Sequence, residues 1–489
     1  MANYLEGILD HAARRPRAPA LILPDRTIDF AGLARSMAGV SIGLAAHGLP
    51  PGAVVAIATR SPAATFRAIL GTILGGHVAM PLDLKAGPAA LFEIAARTGA
   101  SAALVEGQGG TLAGRPAIDL DSLPASGDAE ACRHPGGAHL AQVTITSGTT
   151  GPSKAAPATH AQMLERTRSL EGLLALGPDD RFLPVIDLSF GLSRHAAIRM
   201  LDVGGAVVLH PLPGSAADLM ALLRDQRVTY MAITPGHAHV MLEAVEALGP
   251  GDGPALPGVR VLSISGAHVP ADMRAEIRRR LTPGLHVSYG SNETGHVAHA
   301  GPAELDRAPD TVGRPLPGIA VEVVDDRGRP LPAGTIGEIR VRSRQISQAY
   351  LGDAAATARG FRADGFHMGD TGHFDAGGHL FLTGRVDDRI NVGGQKVYPF
   401  EVEAVLRSHP AVADAVVFGM PAPRYSEIVV AVVVLRGDVA VADLHAYCRG
   451  RLPRAKVPRR IFKFAELPRN ETGKVMVRAL RDRLALPGG

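Results

Sequence analysis

Short apolar runs rich in β-branched residues alternate with amphipathic segments from the N-terminus to about Gly318, and this alternation restricts the possible folds more than any other feature. Residues 54–58 and 102–105 predict buried strands, whereas residues 91–98 and 218–226 have the spacing of helices. Strands that alternate with helices in this way form layered structures with largely parallel sheets. The sequence therefore predicts an α/β fold with a large N-terminal domain.

The pattern changes after Gly318. Short strands with Gly- and Pro-rich turns are predicted at residues 321–324 and 334–342, which indicates a small antiparallel sheet or β-barrel-like subdomain. Beyond Asp387 the pattern favours a small α+β domain, with helices and strands predicted at residues 399–408, 412–418, 428–435 and 441–451. We expect an N-terminal domain over residues 1–386 and a mobile C-terminal domain over residues 387–489.

Composition excludes several classes of protein. A chain of 489 residues exceeds what one core supports, and its 46% hydrophobic content without tryptophan predicts an interior of aliphatic side chains. A net charge of +4 is too small to indicate nucleic-acid binding. Cys132 and Cys448 lack metal-type or disulfide-framework spacing, which favours a reducing cytoplasmic location. We identify no secretory signal and no run long enough to span a membrane.

Residues 146–154 read Thr-Ser-Gly-Thr-Thr-Gly-Pro-Ser-Lys and form the stretch most suggestive of chemistry. Glycines let backbone N–H groups converge on an anion, and the hydroxyls and the final ammonium add donors. We expect the loop to leave a strand at residues 140–146 and to run toward a helix that begins near His160. Lysine follows the last glycine too late for an ordinary phosphate-loop nucleotidase. The loop predicts a polyphosphate site, and the alternative is a hydrophilic surface loop.

Residues 288–295 read Ser-Tyr-Gly-Ser-Asn-Glu-Thr-Gly and follow a predicted strand. The Tyr289 ring suits a nucleobase, and the Glu293 carboxylate suits Mg²⁺, which prefers oxygen ligands and often joins one carboxylate to substrate phosphates. A surface turn is the alternative. Further on, Asp370 and Arg385 stand at predicted glycine turns and have the hydrogen-bonding capacity for ribose or phosphate.

Together these motifs resemble the adenylate-forming superfamily of acyl-CoA synthetases, nonribosomal-peptide adenylation domains and luciferases. The resemblance extends over nearly the whole chain and includes residues 146–151, 289–293, 313–315, 369–370, 384–388, 393–403 and 468–474. It implies that the protein uses ATP and Mg²⁺ to convert a carboxylic acid to an acyl-adenylate with release of pyrophosphate, and then forms a thioester with coenzyme A. The alternative is an adenylating enzyme that loads a carrier-protein pantetheine or an amine acceptor.

The resemblance also implies individual roles. Lys474 would bridge the substrate carboxylate and the α-phosphate and carry the adenylation step, and Glu293 and Thr146 would hold Mg²⁺. The phosphates would be bound by Thr146, Ser147, Gly148, Thr149, Thr150, Gly151 and Lys154. The rest of the nucleotide site would comprise Gly266, Ala267, His268, Tyr289, Gly290, Ser291, Asn292, Asp370 and Arg385.

For the acid, the resemblance implies a modest apolar pocket formed by Phe190, Gly191, His237, Gly266 and Gly290. The C-terminal domain would rotate about Asp387 after adenylation, withdrawing Lys474 and bringing Gly393 and Gly394 toward the pantetheine. Two departures from the family pattern stand out. Asn292 replaces the usual threonine, and residues 184–192 lack a histidine common in acyl-CoA synthetases.

Several alternatives remain open on the sequence. His195, His237 and His268 are candidates for substrate contact or for structural hydrogen bonds, and Arg194 is either a clamp for a second carboxylate or a surface charge. The basic residues 451–460 suit coenzyme A, an acidic carrier protein or plain solvation. A catalytically inactive nucleotide-binding protein is a further reading, disfavoured by the full set of charged site residues. We expect no nucleic-acid partner, and a homodimer by analogy with most soluble enzymes.

Overall fold

A computed structural model of the chain describes residues 3–107, 109–133, 135–146, 153–247, 249, 253–422, 427–469 and 475–485. The chain divides into two compact units. Unit 1 comprises Met1–Ala320 and Val341–Phe366, and unit 2 comprises Val321–Arg340 and His367–Gly489. The domain boundary that the sequence suggests near Asp387 stays a prediction.

The helices, in chain order, are α1 Glu6–Arg14, α2 Phe30–Ala46, α3 Pro62–Leu74, α4 Pro88–Thr98, α5 His160–Arg168, α6 Glu171–Leu174, α7 Gly191–Asp202, α8 Ala216–Asp225, α9 Pro235–Ala247, α10 Ala271–Arg280, α11 Pro302–Arg307, α12 Ala354–Gly360, α13 Pro399–Arg407, α14 Val441–Arg449 and α15 Val477–Ala485. The strands are β1 Pro19–Ile22, β2 Thr27–Asp29, β3 Val54–Ala58, β4 Val78–Pro81, β5 Ala102–Val105, β6 Gly110–Leu112, β7 Arg115–Asp119, β8 Leu140–Thr146, β9 Lys154–Thr159, β10 Arg181–Pro184, β11 Ala206–Val208, β12 Tyr230–Ile233, β13 Val261–Ile264, β14 Leu285–Ser291, β15 Gly295–Ala300, β16 Arg314–Pro315, β17 Ala320–Val324, β18 Gly337–Arg342, β19 Phe361–Arg362, β20 Gly365–Phe374, β21 Leu380–Arg385, β22 Ile390–Val392, β23 Gln395–Val397, β24 Val412–Pro421, β25 Glu427–Leu435 and β26 Arg460–Phe464.

Unit 1 contains two large sheets. One has the strand order β6-β7-β5-β3-β4-β8-β9, and the other has the order β16-β15-β14-β13-β12-β10-β11-β1-β2. The central pairs of both sheets are parallel, and the antiparallel pairs lie toward their ends. This confirms the predicted α/β class. Most of the buried side chains of these strands are aliphatic, as expected for a chain without tryptophan.

The segment after residues 146–154 differs from the prediction. The chain does not run from the loop directly to a helix, because Lys154 begins the strand β9, which pairs antiparallel with β8 so that Thr146 lies opposite Lys154. The run Lys-Ala-Ala-Pro-Ala-Thr has weak strand propensity, and Pro157 cannot donate to a neighbour. An edge position in the sheet accommodates that proline. The predicted helix start at His160 is confirmed, and Thr159 caps it through a reciprocal hydrogen-bond pair with Gln162.

Unit 2 contains smaller sheets. The strands β24, β25 and β26 form one sheet, and β22 and β23 form a hairpin. The strands β17, β18, β20 and β21 follow the short-strand pattern predicted after Gly318, except that residues 334–336 form a turn and loop before β18 rather than a strand. Of the helices in the part of the chain that the structure describes, none is both long and apolar enough to cross a bilayer.

A pair of buried histidines joins β14 to β15. His286 Nδ1 lies 3.1 Å from His299 Nε2, and Ser288 Oγ lies 2.9 Å from His299 Nδ1. Burial lowers the pKa of His286 to about 4 and that of His299 to about 3. Both rings are therefore neutral in the folded protein at pH 5, whereas they are protonated in the unfolded chain below its pKa of about 6.5.

Acidification from pH 7 to pH 5 is therefore expected to destabilise unit 1. The unfolded chain binds more protons in this range, so the free energy of unfolding falls by about 2 kcal/mol for each such histidine. Thermal unfolding midpoints at both pH values measure the effect, and His299→Gln should reduce the pH dependence. His239→Gln, at an exposed position on α9, is the control. Equal pH dependence in His299→Gln and the unaltered protein would contradict the assignment.

Candidate functional site

The two ends of the predicted phosphate loop meet at the end of the β8–β9 hairpin. The backbone N–H of Lys154 donates to Thr146 Oγ1 at 3.3 Å, and the two residues are cross-strand partners. Ser147, Gly148, Thr149, Thr150 and Gly151 lie outside the described residues, so their phosphate contacts remain predictions. The described ends nevertheless fix where the loop leaves and rejoins the sheet.

Glu293 lies in the turn of a second hairpin, β14–β15. Tyr289, Gly290 and Ser291 belong to β14 itself, so the predicted strand is longer than the sequence indicated. The Glu293 side chain is only 8% exposed. A buried carboxylate needs a strong partner, because burial of an unpaired charge is costly.

Tyr350 supplies that partner. Its hydroxyl donates to Glu293 Oε1 at 2.5 Å, and the ammonium of Lys154 lies 5.0 Å from the centre of the same ring. This is within the range of a cation–π contact. The structure thus brings the predicted phosphate-binding lysine and the predicted metal-binding glutamate to opposite parts of one side chain. Tyr350 was not among the residues singled out in the sequence.

Arg166 on α5 fixes the backbone of the Glu293 turn. Its guanidinium donates to the carbonyl of Asn292 at 3.1 Å, to that of Glu293 at 2.7 Å and to that of Gln345 at 2.9 Å. Arg166 is 3% exposed, and burial lowers the pKa of its guanidinium to about 10, so it stays charged at neutral pH. One buried cation therefore holds α5, the Glu293 turn and the segment that leads to Tyr350.

Phe190 and Gly191, two residues of the predicted acyl site, lie at the start of α7, and Gly191 is close to the Glu293 turn. Phe190 is the N-cap of α7 and is 39% exposed, and Gly191 follows it. A β-carbon at position 191 would lie 2.8 Å from Asn292 Oδ1, so a larger residue there would require the Asn292 side chain to shift. The structure therefore places Gly191 beside the Asn292 that departs from the family pattern.

Arg194 is not the surface charge that the sequence allowed as one interpretation. It is fully buried, and its guanidinium donates to the carbonyls of Leu188 and Ser189 and to Thr144 Oγ1. The neighbouring His195 ring accepts from the Gln142 amide at 2.6 Å. Burial and the nearby arginines hold the pKa of His195 well below its usual range, so this ring is neutral.

The other histidines of the predicted site also have protein partners. His237 Nδ1 lies 2.7 Å from Thr234 Oγ1, and burial lowers the pKa of His237. His268 Nε2 lies 3.7 Å from a carboxylate oxygen of Asp310. Gly266 and Ala267 lie with His268 in the loop that follows β13, and Gly266 has a positive φ of 97°. These contacts show where the predicted residues lie, and their binding of a ligand stays a prediction.

In unit 2, Asp370 and Arg385 lie opposite each other on β20 and β21. Asp370 lies within β20 and Arg385 is the last residue of β21, so these positions belong to paired strands rather than to the expected glycine turns. Their side chains form an ion pair of 2.8 Å. Gly393 and Gly394 form the turn of the β22–β23 hairpin with φ of 57° and 88°. Such two-residue turns favour glycine because both positions need positive φ. The predicted hinge Asp387 lies in a turn after β21, and Lys474 lies outside the described residues.

Comparisons with known proteins identify the family. Residues 8–351 match the model of the AMP-binding enzyme, and residues 401–474 match that of the AMP-binding enzyme C-terminal domain. A sulfoacetate–CoA ligase of Cupriavidus necator is 31% identical over 95% of this chain and 94% of its own length. The chain also matches two further CoA ligases and a probable nonribosomal peptide synthetase. It spans 67% and 65% of the lengths of the two ligases and 6% of the length of the synthetase.

Solved structures agree with this assignment. ATP-bound MatB from Rhodopseudomonas palustris superimposes with a TM-score of 0.86 at 25% identity, over 99% of this chain and 98% of that protein. The amide bond synthetase McbA from Marinactinospora thermotolerans gives a TM-score of 0.86 at 26% identity, over 98% and 99% of the two chains. The chain therefore belongs to the AMP-binding, adenylate-forming enzyme family, as its motifs predicted, and is an AMP-forming ligase of the acyl-CoA synthetase type.

Proposed function

We propose that this ligase joins a small carboxylic acid to ATP, releases pyrophosphate and transfers the acyl group from the adenylate to the thiol of coenzyme A. The observation that supports this most directly is that Lys154 and Glu293 contact the same side chain. The ammonium of Lys154 lies over the ring of Tyr350, and the carboxylate of Glu293 accepts a hydrogen bond from its hydroxyl. Lys154 belongs to the phosphate-loop motif and Glu293 to the Tyr-Gly-Ser-Asn-Glu motif. Their proximity gives these two distant motifs a shared location in unit 1.

The chemistry explains why such a site suits adenylation. The acid carboxylate and the triphosphate repel each other, and negative charge develops on the α-phosphate as the new oxygen–phosphorus bond forms. Fixed cations and N–H donors that face this charge lower the barrier without having to reorganise. In the proposal, Lys154 and residues 146–151 bind the phosphates of the leaving group, and Lys474 neutralises the reacting carboxylate and α-phosphate.

The residues present also fit a magnesium ion. Glu293 Oε1 accepts from Tyr350, and the described residues donate no hydrogen bond to its second oxygen, Oε2. Within the described ranges no group of three or more His, Cys, Asp or Glu side chains forms a metal cage. Mg²⁺ bound through one carboxylate and nucleotide phosphates fits such a donor set. When bound, it would neutralise phosphate charge, with Glu293 and Thr146 as the proposed protein ligands.

The remaining roles are proposals that rest on the family. Asp370 and Arg385 would bind the ribose hydroxyls, and the 2.8 Å ion pair between the two side chains supports a shared role. Tyr289 would stack on adenine, and the loop from Gly266 to His268 would line the base and the acyl group. Asp387 would serve as the hinge of the C-terminal domain, with Gly393 and Gly394 admitting the pantetheine.

For the acid, we propose a small pocket lined by Phe190, Gly191, His237, Gly266 and Gly290. The buried Arg194 donates to oxygens of the protein, so we assign it to the support of the pocket wall rather than to a direct clamp on the substrate. The similar ligase from Cupriavidus necator is named for sulfoacetate, a small anionic acid. Small acids with and without a second anionic group therefore belong in the first substrate panel.

A second candidate function has its own support. McbA is an amide bond synthetase, and one relative is a probable nonribosomal peptide synthetase, so the same fold serves acceptors other than coenzyme A. In this alternative the adenylate forms in the same way, but an amine or a carrier-protein pantetheine takes the acyl group. We propose a cytoplasmic location, consistent with the two free cysteines, and a homodimer only by analogy with soluble enzymes.

Pyrophosphate release tests the function. The purified chain is given MgATP and one acid at a time from short aliphatic, dicarboxylic, sulfonated and aryl acids, each with and without coenzyme A. We expect release that depends on one class of acid and accelerates with coenzyme A, together with the acyl-CoA thioester as product. Adenylate without any effect of coenzyme A would favour the alternative acceptor. No release with any acid would contradict the proposed function.

A further inference from the structure

Tyr350 lies between two opposite charges that would otherwise attract each other. Its hydroxyl meets the carboxylate of Glu293 at 2.5 Å, while its ring centre lies 5.0 Å from the ammonium of Lys154. No ion pair joins Lys154 to Glu293, both of which the structure describes. A direct pair would satisfy both charges and make each a poorer ligand for phosphate or metal. The phenol instead satisfies each charge with a separate part of one side chain.

The surroundings fix the position of this ring. Tyr350 is 6% exposed and packs edge-on against Phe361, with ring centres 5.1 Å apart. Its backbone N–H donates to Thr357 Oγ1 at 3.0 Å, and the next N–H, of Leu351, donates to the Ala155 carbonyl of β9 at 2.9 Å. The ring is thus held to the same strand that carries Lys154. A side chain fixed in this way can set the separation of the two charges.

We propose that Tyr350 is a positioning residue that holds Lys154 and Glu293 beside each other but unpaired, so that both are available to MgATP. The inference rests on the proposed adenylating function and assigns a role to a residue outside the recognised motifs. The two parts of the side chain have different tasks. The hydroxyl orients Glu293 and leaves Oε2 for the metal, whereas the ring face holds the ammonium toward the phosphates.

This division predicts different effects for two substitutions. Tyr350→Phe removes the hydroxyl and keeps the ring, so we expect the affinity for MgATP to fall about tenfold while the affinity for ATP in EDTA changes less than about twofold. Tyr350→Leu removes both parts and lets Lys154 approach Glu293, so both affinities should fall. Tyr230→Phe, at another buried tyrosine of unit 1, is the control and should leave both affinities unchanged.

Calorimetric titration of each full-length variant with nucleotide, in the absence of acid, measures these affinities without relying on turnover. The same titrations with Glu293→Gln complete a double-mutant cycle. If the hydroxyl acts through Glu293, Tyr350→Phe should weaken MgATP binding less than about twofold in the Glu293→Gln background. Thermal unfolding midpoints show whether each variant is folded.

The outcomes separate the two proposals. An equal loss of MgATP affinity in both backgrounds, an equal loss of MgATP and metal-free ATP affinity in Tyr350→Phe, or no loss at all would overturn the role of Tyr350. If the unaltered protein binds MgATP but releases no pyrophosphate with any acid, the proposed function fails, and the binding cycle still decides the role of Tyr350.

Discussion

Replacement of Lys474 by alanine is expected to slow acid-dependent pyrophosphate release by about a hundredfold to a thousandfold. The reason is that a fixed cation at the reacting carboxylate and α-phosphate stabilises charge that exists mainly in the transition state, and loss of one such donor typically has this effect. The rate is measured by continuous detection of pyrophosphate at saturating ATP and acid. Binding of ATP should change much less than the rate.

The selectivity of that loss is the sharper part of the prediction. Thioester formation from a prepared acyl-adenylate and coenzyme A should stay within about threefold of the unaltered protein, because Lys474 is proposed to act in the first step only. Lys463→Ala is a matched control, since Lys463 is a partly exposed lysine of unit 2 that lies 3.6 Å from Asp438. Equal loss in both half-reactions, or in neither, would show that Lys474 does not carry adenylation.

Arg166→Met is expected to lower the stability of unit 1 by about 3–5 kcal/mol. The substitution leaves the carbonyls of Asn292 and Gln345 without the guanidinium as donor, and each buried carbonyl without a partner costs roughly 1–3 kcal/mol. The Glu293 carbonyl loses one of two donors, because it keeps the backbone N–H of Ser347 at 2.9 Å. Denaturant unfolding followed by circular dichroism measures the loss. Because the carbonyls of Asn292 and Glu293 belong to the Glu293 turn, affinity for MgATP should fall as well.

Two further variants identify the cause of the destabilisation. Arg166→Lys keeps the charge but cannot reach all three carbonyls at once, so its stability should be intermediate. Arg224→Met removes an arginine from the exposed surface of α8, where a side chain 77% exposed makes only a weak ion pair with Asp225, and should change stability by less than about 1 kcal/mol. Similar losses for Arg166→Met and Arg224→Met would mean that the carbonyl contacts contribute little.

Local sequence patterns predicted the elements whose formation depends on nearby residues. The strand at residues 140–146 has the bounds of β8, and the helix predicted from near His160 begins at that residue. The spacing of buried residues along an element and the capping of a helix both depend on residues a few positions apart. One segment therefore contains enough information to predict such an element. The edge strand β9 was missed for the same reason, because its residues form a strand only through pairing with β8.

The order of the motifs along the chain determined the family and the proposed chemistry, since glycines, hydroxyls and charged groups at fixed spacing are local properties. Only the tertiary structure decided which side chains lie together around the candidate site. Arg166 and Gln345 are 179 positions apart, and Tyr350 lies 57 positions from Glu293, so no local pattern connects them. In the sequence Arg166 resembles any solvated charge of a helix. Burial, which depends on the packing of the whole unit, makes it a structural cation, just as burial keeps the histidines of β14 and β15 neutral.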